Sequence, residues 1–235
     1  TGTVAMAVDA INYAVSADCD VINMSFGIYY YSSALDEACS AAADAGLLLV
    51  AAAGNRGSTE YAYPAALDSV VSVAAVEQTA DGTCTRADFS QYNNQVFVTA
   101  PGADIASLSY TGDGAYVSGK EGTSFSAPLV TALAAFAKEQ NRALTQDGFE
   151  KLLIATAQDL GPAGRDVQYG YGMVDFSAFA DEITRDYEIT FANAGQMEAM
   201  HYRLSLDEPL VLPTPQREAY LFSGWYGNEA LTGDP

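Results

Sequence analysis

The chain contains 235 residues, which predicts one medium domain with a small second module when a domain takes roughly 150 residues. Apolar residues make up 49% of the chain and charged residues 17%, a composition that builds a buried core and excludes a disordered protein. Thirty acidic and ten basic residues give a net charge of −20, which excludes nucleic acid as a partner because phosphate backbones are repelled.

The sequence also constrains membrane and metal chemistry. No apolar run reaches the roughly 18 residues that a membrane helix needs, so we expect no membrane span. No signal-peptide pattern opens the chain, and Thr1 is expected to be an internal start. The single histidine, His201, excludes a His-rich metal site. Cys19 and Cys39 lie in apolar surroundings that predict buried free thiols.

Short apolar runs alternate with helical patterns through the first hundred residues. Residues 4–15 have apolar side chains at helical spacing, and residues 34–45 form a second helix with Ser33 and Asp36 as a capping box. Four apolar runs predict buried strands: 21–24, 47–53, 70–76 and 96–99. This alternation predicts an α/β fold, a doubly wound and mostly parallel sheet with helices on both faces.

Helical patterns continue in the second half, and the character of the chain then changes. Three further helices are predicted: 124–138, 145–157 (capped by Thr145) and 174–182. The first of them is apolar nearly all round, so we expect it to be buried, with Pro128 in its first turn. Beyond residue 184, short apolar runs separated by Gly, Asn and Pro predict a β-rich module. We therefore predict two domains, residues 1–184 and 185–235.

Two polar segments lie where a helix begins and where a strand ends. Gly122-Thr123-Ser124-Phe125-Ser126-Ala127-Pro128 delivers Ser124 onto the first turn of a helix, whose partly positive N-terminus favours negative charge at its oxygen. Ala51-Ala52-Ala53-Gly54-Asn55 ends a buried strand with an amide at its carboxyl edge, where ligands bind in open α/β sheets. Taken alone, the serine is a helix cap and the asparagine a turn residue.

Taken together and in this order, the two segments resemble the subtilisin-like serine proteases. The resemblance extends from about Val4 to Glu182 and includes further motifs: Val21-Ile22-Asn23-Met24-Ser25-Phe26-Gly27, Tyr63-Pro64-Ala65 followed by residues 70–76, Ala100-Pro101-Gly102 and Tyr169-Gly170-Tyr171-Gly172. It implies a subtilisin-like fold and a serine endopeptidase that hydrolyses peptide bonds through a Ser124 acyl-enzyme. The Asn55 side chain and the Ser124 amide would form the oxyanion hole.

The resemblance also implies a substrate cleft. The residues implied to contact a protein or peptide substrate are Ser25, Phe26, Gly27, Ala52, Ala53, Gly54, Arg56, Ala62 and Thr123. Residues 25–27 would present an extended backbone edge and residues 52–54 a pocket wall, with Ala62 at the pocket floor. Arg56 either reaches the pocket rim and favours polar or acidic side chains, or is a solvated surface arginine. No metal and no cofactor are expected, because no carboxylate cluster supports calcium.

Three features depart from the family pattern. Leu129 and Ile28 replace a common histidine and a common glycine without touching the candidate nucleophile. The third is the catalytic triad, which in the family runs Asp, His, Ser along the chain. The only histidine here, His201, lies in the tail and is expected to be a surface strand residue. We therefore expect the acid and base on a companion N-terminal chain upstream of Thr1, separated by cleavage in an exposed loop.

The tail resembles the internalin B-type (Listeria–Bacteroides) repeat of bacterial surface proteins. The run that carries the resemblance is Pro213-Thr214-Pro215-Gln216-Arg217-Glu218-Ala219-Tyr220-Leu221-Phe222-Ser223-Gly224-Trp225-Tyr226, whereas residues 192–195 replace a usual double-glycine turn. It implies a small β-grasp-like C-terminal module with Phe222 and Trp225 in its core. It also implies a location outside the cell or on the bacterial cell surface.

Two functional interpretations follow from the sequence. The first is a secreted or surface-attached serine endopeptidase whose acid and base come from upstream sequence. The alternative is a catalytically incomplete subtilase-fold scaffold or pseudoprotease that acts as a surface adhesion or binding protein. Labelling of Ser124 with a serine-reactive probe distinguishes them, because only a completed active site activates the serine.

Overall fold

A five-stranded sheet is the centre of the fold in the computed structural model, which describes residues 2–109, 112, 114–191, 197, 199–203, 211–215, 222, 224 and 225. Its strands are β1 (Val21–Met24), β2 (Leu48–Ala52), β3 (Val71–Gln78), β4 (Cys84–Arg86) and β5 (Val98–Pro101). β1 pairs in parallel with β2, and β3 pairs in parallel with β2 and β5. Only β4 is antiparallel to its neighbour, β3.

Five helices cover the two faces of this sheet: α1 (Val4–Ser16), α2 (Ser33–Asp44), α3 (Thr123–Gln140), α4 (Gln146–Thr156) and α5 (Phe176–Thr184). Leu48 and Val50 pack with residues of α3, α4 and α5, whereas Leu49 and Ala51 pack with residues of α1 and α2. The doubly wound α/β fold with helices on both faces is therefore confirmed. In the described part of the chain, no helix is long and apolar enough to cross a membrane.

The helix N-termini show which capping signals operate. Thr145 Oγ1 accepts a hydrogen bond from Gly148 N at 3.1 Å and caps α4, as predicted. The predicted capping box of Ser33 and Asp36 is wrong, since no side chain caps α2. The Asp36 carboxylate instead accepts a 2.8 Å hydrogen bond from Tyr31 Oη. Asp36 thus pairs with a side chain five residues earlier instead of capping the helix.

Two expectations about α3 are wrong. Pro128 is the sixth residue of this helix rather than part of its first turn. The helix is also not buried all round, because Pro128, Ala132 and Ala135 are exposed. The face that meets the sheet is mostly apolar, and its buried Ser126 Oγ donates to Ala100 O of β5 at 3.1 Å. The apolar residues of this face are Ala127, Val130, Leu133, Ala134 and Ala137. α3 thus packs on the sheet with one face and leaves a second apolar face uncovered.

The three cysteines are free thiols in different environments. Cys39 is fully buried, as predicted, and burial raises its pKa to about 12. Cys19 is exposed, so the prediction of a buried thiol there is wrong. It lies in the turn between α1 and β1, where the flanking aspartates keep the backbone at the surface.

Two pairs of short antiparallel strands lie outside the main sheet. β6 (Ile105–Leu108) pairs with β7 (Tyr116–Lys120), and β8 (Tyr187–Ile189) pairs with β9 (Met200–Tyr202). The Phe222 and Trp225 ring centroids are 5.2 Å apart, and Trp225 Nε1 donates to Pro213 O at 3.0 Å. Much of the repeat-like run 213–226 and all of residues 192–195 lie outside the described residues. The β-grasp-like module and the boundary at residue 184 therefore stay predictions.

Candidate active site

The predicted site residues meet at the carboxyl edge of the sheet. Met24 and Ala51 lie side by side in the β1–β2 register, so the segments that follow these strands emerge together. α3 begins beside them, and Ser25 and Ser124 exchange two hydrogen bonds across 99 residues of sequence. Ser25 Oγ donates to Ser124 O at 3.0 Å, and Ser124 Oγ donates to Ser25 O at 3.3 Å. The fold thus joins the two segments that the sequence singles out.

The hydrogen bond between Ser25 Oγ and Ser124 O has a cause in the helix itself. Pro128 has no N–H, so the carbonyl of Ser124, four residues earlier, lacks its helical donor. Ser25 Oγ supplies that donor and is itself held by Asn23 Nδ2 at 3.0 Å. Asn23 Oδ1 accepts in turn from Thr131 Oγ1 at 2.9 Å. The start of α3 is therefore tied to the end of β1 by a continuous polar chain.

The Asn55 amide is fixed in one orientation by Thr123. Thr123 N and Thr123 Oγ1 donate to Asn55 Oδ1 at 2.9 and 2.8 Å, and Gly54 N donates to Thr123 Oγ1 at 3.2 Å. Because the oxygen of the amide is the acceptor, the Asn55 NH₂ group must face away from Thr123. Thr123 is fully buried, so in this structure its side chain contacts the Asn55 loop rather than the open cleft.

Gly122 leaves a small space that is bordered by two N–H donors. Its φ of 140° is a conformation that glycine tolerates and side-chain-bearing residues rarely adopt. A Cβ at this position would lie 3.4 Å from Asn55 Nδ2 and 3.7 Å from Ser124 N. The two donors therefore face one region at the partly positive N-terminus of α3. Preset donors of this kind stabilise negative charge that develops on an oxygen.

The cleft walls consist of small residues and exposed backbone. Ala52, Ala53 and Ala62 are buried, whereas Phe26 is half exposed. A Cβ at Gly27 would lie 3.5 Å from the Ala62 side chain, so the predicted pocket-floor residue lies directly behind the edge formed by residues 25–27. The antiparallel pairing of residues 28 and 63 closes this wall. Phe26 and Gly27 are exposed beside this pairing.

Arg56 connects the two walls. Its guanidinium carbon lies 3.6 Å from the centroid of the Tyr29 ring, and its Nη1 forms a 3.1 Å ion pair with Glu60. A ring and a carboxylate thus contact the guanidinium, while the side chain stays 53% exposed. A role of Arg56 at the pocket rim stays a prediction. Sequence reasoning missed Tyr29 and Glu60. Glu60 follows Arg56 by four residues, a spacing that suggests pairing only within a helix.

The site lacks a base within the described residues. The single histidine, His201, lies on the β8–β9 ladder and is mostly exposed, with Nδ1 2.9 Å from Asp186 Oδ2. No sequence pattern predicts this acidic partner. Ser124 Oγ donates to the Ser25 carbonyl rather than to an imidazole. In the part of the chain that the structure describes, no group of three potential metal ligands comes together.

The fold and the site together define a subtilisin-like α/β protein. Residues 1–172 match the subtilase family, peptidase S8, and the chain belongs to that family. The thermostable alkaline protease of Halalkalibacterium halodurans is 37% identical over 74% of this chain and 45% of that protein. Subtilisin DY of Bacillus licheniformis is 36% identical over 77% of this chain and 64% of its own length.

Further comparisons agree in both sequence and structure. The minor extracellular protease of Bacillus subtilis is 34% identical over 77% of this chain and 27% of that protein. Fervidolysin of Fervidobacterium pennivorans, a keratinolytic enzyme related to subtilisin, superposes with a TM-score of 0.68 at 31% identity, covering 75% of this chain and 28% of fervidolysin. The chain thus spans less than two thirds of these relatives.

Proposed function

We propose that this chain is the nucleophile-bearing part of a serine endopeptidase that acts on protein or peptide substrates. The observation that carries the proposal is the Asn55 amide, held by Thr123 so that its NH₂ group and Ser124 N border one space beside Ser124. An acyl-transfer reaction needs such donors fixed before charge develops on the attacked carbonyl oxygen. Membership of the subtilase family supports the same chemistry.

In this proposal Ser124 Oγ attacks the carbonyl carbon of the scissile bond while a base takes its proton. The carbonyl oxygen becomes negative and accepts hydrogen bonds from Asn55 Nδ2 and Ser124 N. The C–N bond then breaks, the base returns the proton to the departing amine, and an ester remains on Ser124. Water hydrolyses this ester and restores the serine hydroxyl. In subtilisin, losing the asparagine donor costs about 10² to 10³ in kcat.

We further propose that the acid and base come from a companion N-terminal chain. Two features of the described residues support this proposal. β1 pairs only with β2 and so has a free edge, and α3 leaves Pro128, Ala132 and Ala135 exposed. A free strand edge beside an uncovered apolar face is a surface that proteins normally cover. A segment that covers this surface would lie next to the start of α3, where Ser124 needs its base.

The substrate and the location belong to the same proposal. An extended peptide would lie along the backbone edge of residues 25–27, with a side chain between that edge and the wall of residues 52–54. The net charge of −20 favours basic substrates by long-range attraction. A relative named as an extracellular protease and the repeat-like tail support an extracellular or cell-surface location.

Labelling with a fluorophosphonate tests the proposal. We expect the intact assembly to be labelled at Ser124, Ser124→Ala to lose the label, and the exposed control Ser118→Ala to keep it. Intact mass of the labelled material should then show a second chain. A labelled 24.7 kDa species without a companion would overturn the two-chain arrangement alone. An assembly that never labels would overturn the enzyme and favour the scaffold or pseudoprotease.

A further inference from the structure

One fully buried side chain near the candidate active site has no role in the chemistry described above. Gln91 lies behind the loop that carries Asn55. Its backbone N donates to Gly54 O at 3.0 Å, and its side-chain Oε1 accepts from Arg56 N at 2.6 Å. These two hydrogen bonds fix the residues immediately before and after Asn55.

The packing of Gln91 against this loop is as close as the hydrogen bonding. A Cβ at Gly54 would lie 2.9 to 3.0 Å from Gln91 Cδ, Nε2 and Oε1, closer than side chains tolerate. Gly54 also has a φ of 109°, which a residue with a side chain rarely adopts. The amide of Gln91 therefore lies flat against the bare α-carbon of Gly54. The loop has no room to shift toward Gln91.

Burying the Gln91 amide behind the Asn55 loop costs free energy of folding. Only its oxygen can accept the Arg56 N–H, so the Nε2 position is determined. Within the described residues Nε2 is buried without a hydrogen-bond partner, which costs about 1 to 3 kcal/mol. An apolar side chain of similar length would avoid that cost but could not hold Arg56 N. A buried polar group kept at a cost points to a functional requirement.

We propose that Gln91 is a positioning residue that sets the Asn55 amide for the oxyanion. Thr123 holds the side-chain oxygen of Asn55 from the front, and Gln91 holds the backbone on both sides of Asn55 from behind. This role rests on the proposed function, because it acts only through the donor that Asn55 gives to the transition state. It affects the rate of acylation more than the binding of the substrate, because only the orientation of the Asn55 donor matters specifically in the transition state.

Gln91→Met in the active protease, with its companion segment, is the first test. We expect kcat to fall about tenfold to a hundredfold, because a displacement near 1 Å can cost about 10² in rate. KM should change less than about twofold, since the donor acts in the transition state. Gln95→Met is the matched control, because Gln95 lies in the same loop but donates to Asp68. It should leave kcat unchanged.

A double-mutant cycle separates positioning from general damage to the fold. In an Asn55→Ala background, Gln91→Met should lower kcat little further, because the group that it positions is already gone. An equal loss in both backgrounds, or an unchanged kcat in the single variant, would overturn the proposal. A wild-type assembly that hydrolyses no peptide would overturn the proposed function itself. A wild-type rate that Asn55→Ala leaves intact would remove the oxyanion assignment.

Gln91→Glu provides an answer if the methionine variant does not fold. The uncharged carboxyl keeps the acceptor for Arg56 N and the shape of the amide. Burial raises the pKa of such a carboxyl, and its ionised form places negative charge near the developing oxyanion. The ratio of kcat for Gln91→Glu to kcat for wild type should therefore fall as pH rises. At low pH, where the carboxyl is neutral and keeps the Arg56 hydrogen bond, the ratio should be close to one; a ratio far below one there would count against positioning.

Discussion

Helix α3 begins at the candidate active site and ends, about 27 Å away, among charged side chains at the opposite edge of the sheet. At that far end Lys138 is buried, and its Nζ donates to three backbone carbonyls: Gly46 O at 2.6 Å, Leu144 O at 2.7 Å and Arg142 O at 3.0 Å. The Arg142 guanidinium forms 2.9 Å ion pairs with Asp18 and Asp20. Lys138 and Arg142, the two basic groups at this end, thus both have partners within the chain.

The start of the helix is organised in the opposite way. Asn55 Oδ1 accepts two hydrogen bonds, while Asn55 Nδ2 and Ser124 N border the small space beside the α-carbon of Gly122. Ser124 Oγ makes only a long hydrogen bond to Ser25 O. Polar groups whose hydrogen bonds are all made within the protein stabilise the fold. Fixed donors that make no such bond can donate to a substrate. The difference assigns stability to one end of α3 and chemistry to the other.

Asn55→Ala should produce the largest effect at the start of the helix. We expect kcat to fall by about 10² to 10³ because a preset donor to the oxyanion is lost. The free energy of unfolding should fall by about 1 to 3 kcal/mol, because the N and Oγ1 donors of the buried Thr123 both lose their acceptor. Kinetics and denaturant unfolding measure the two quantities, with the exposed Asn94→Ala as a control. A large loss of stability with an unchanged kcat would break the contrast between the two ends.

Lys138→Met should produce the reverse result at the far end. Three carbonyls lose their shared donor, and we expect the free energy of unfolding to fall by about 2 to 4 kcal/mol. The folded fraction should keep its kcat, since Ser124 is 14 positions earlier on the same rigid helix. Lys151→Met removes an exposed i,i+4 pair with Asp147 and should cost no more than about 0.5 kcal/mol. A kcat that falls in proportion to stability would show that the ends are coupled.

The helices and strands could be predicted from the sequence because the pattern of apolar residues that marks each one lies within a short segment. The uninterrupted apolar run at residues 47–53 predicts the buried strand β2. The helical spacing of apolar residues in 4–15 predicts helix α1. Ser124 and Asn55 could be identified from the sequence because each is part of a motif. Their proximity could be predicted because the carboxyl ends of parallel strands share one edge of the sheet. Their joint position then follows from topology.

Apart from the local pairs Tyr31–Asp36 and Arg56–Glu60, the errors and omissions concern contacts between distant segments. Arg56 N and Gln91 Oε1 are 35 residues apart, and no local pattern marks the glutamine as their partner. Pro128 lies inside a helix although it has no backbone N–H to donate to Ser124 O. Ser25 Oγ supplies the missing donor, and Ser25 is 99 residues from Ser124 in sequence. The exposed face of α3 has the same origin, because the apolar periodicity of a helix does not state which face a neighbour will cover.

Glu60→Gln should produce the smallest effect. It tests whether the ion pair with Glu60 limits the contact of Arg56 with a substrate. Glu60 already forms an ion pair with Arg56, so a substrate carboxylate next to Arg56 must compete with Glu60. Removing that competitor should raise the kcat/KM ratio for glutamate over glutamine, at the residue that precedes the scissile bond, about 1.4- to fivefold. Exposed pairs of this kind are worth about 0.2 to 1 kcal/mol, which sets that range.

Two further measurements make this last prediction decisive. Raising the ionic strength should reduce the gain, because salt screens exposed charges over about 10 Å at 0.1 M. Glu139→Gln makes the same change of charge at the far end of α3 and should leave the ratio unchanged. If both variants raise the ratio equally, the preference comes from the overall negative charge of the protein. If neither does, the stacking of Arg56 on Tyr29 holds the guanidinium away from the substrate.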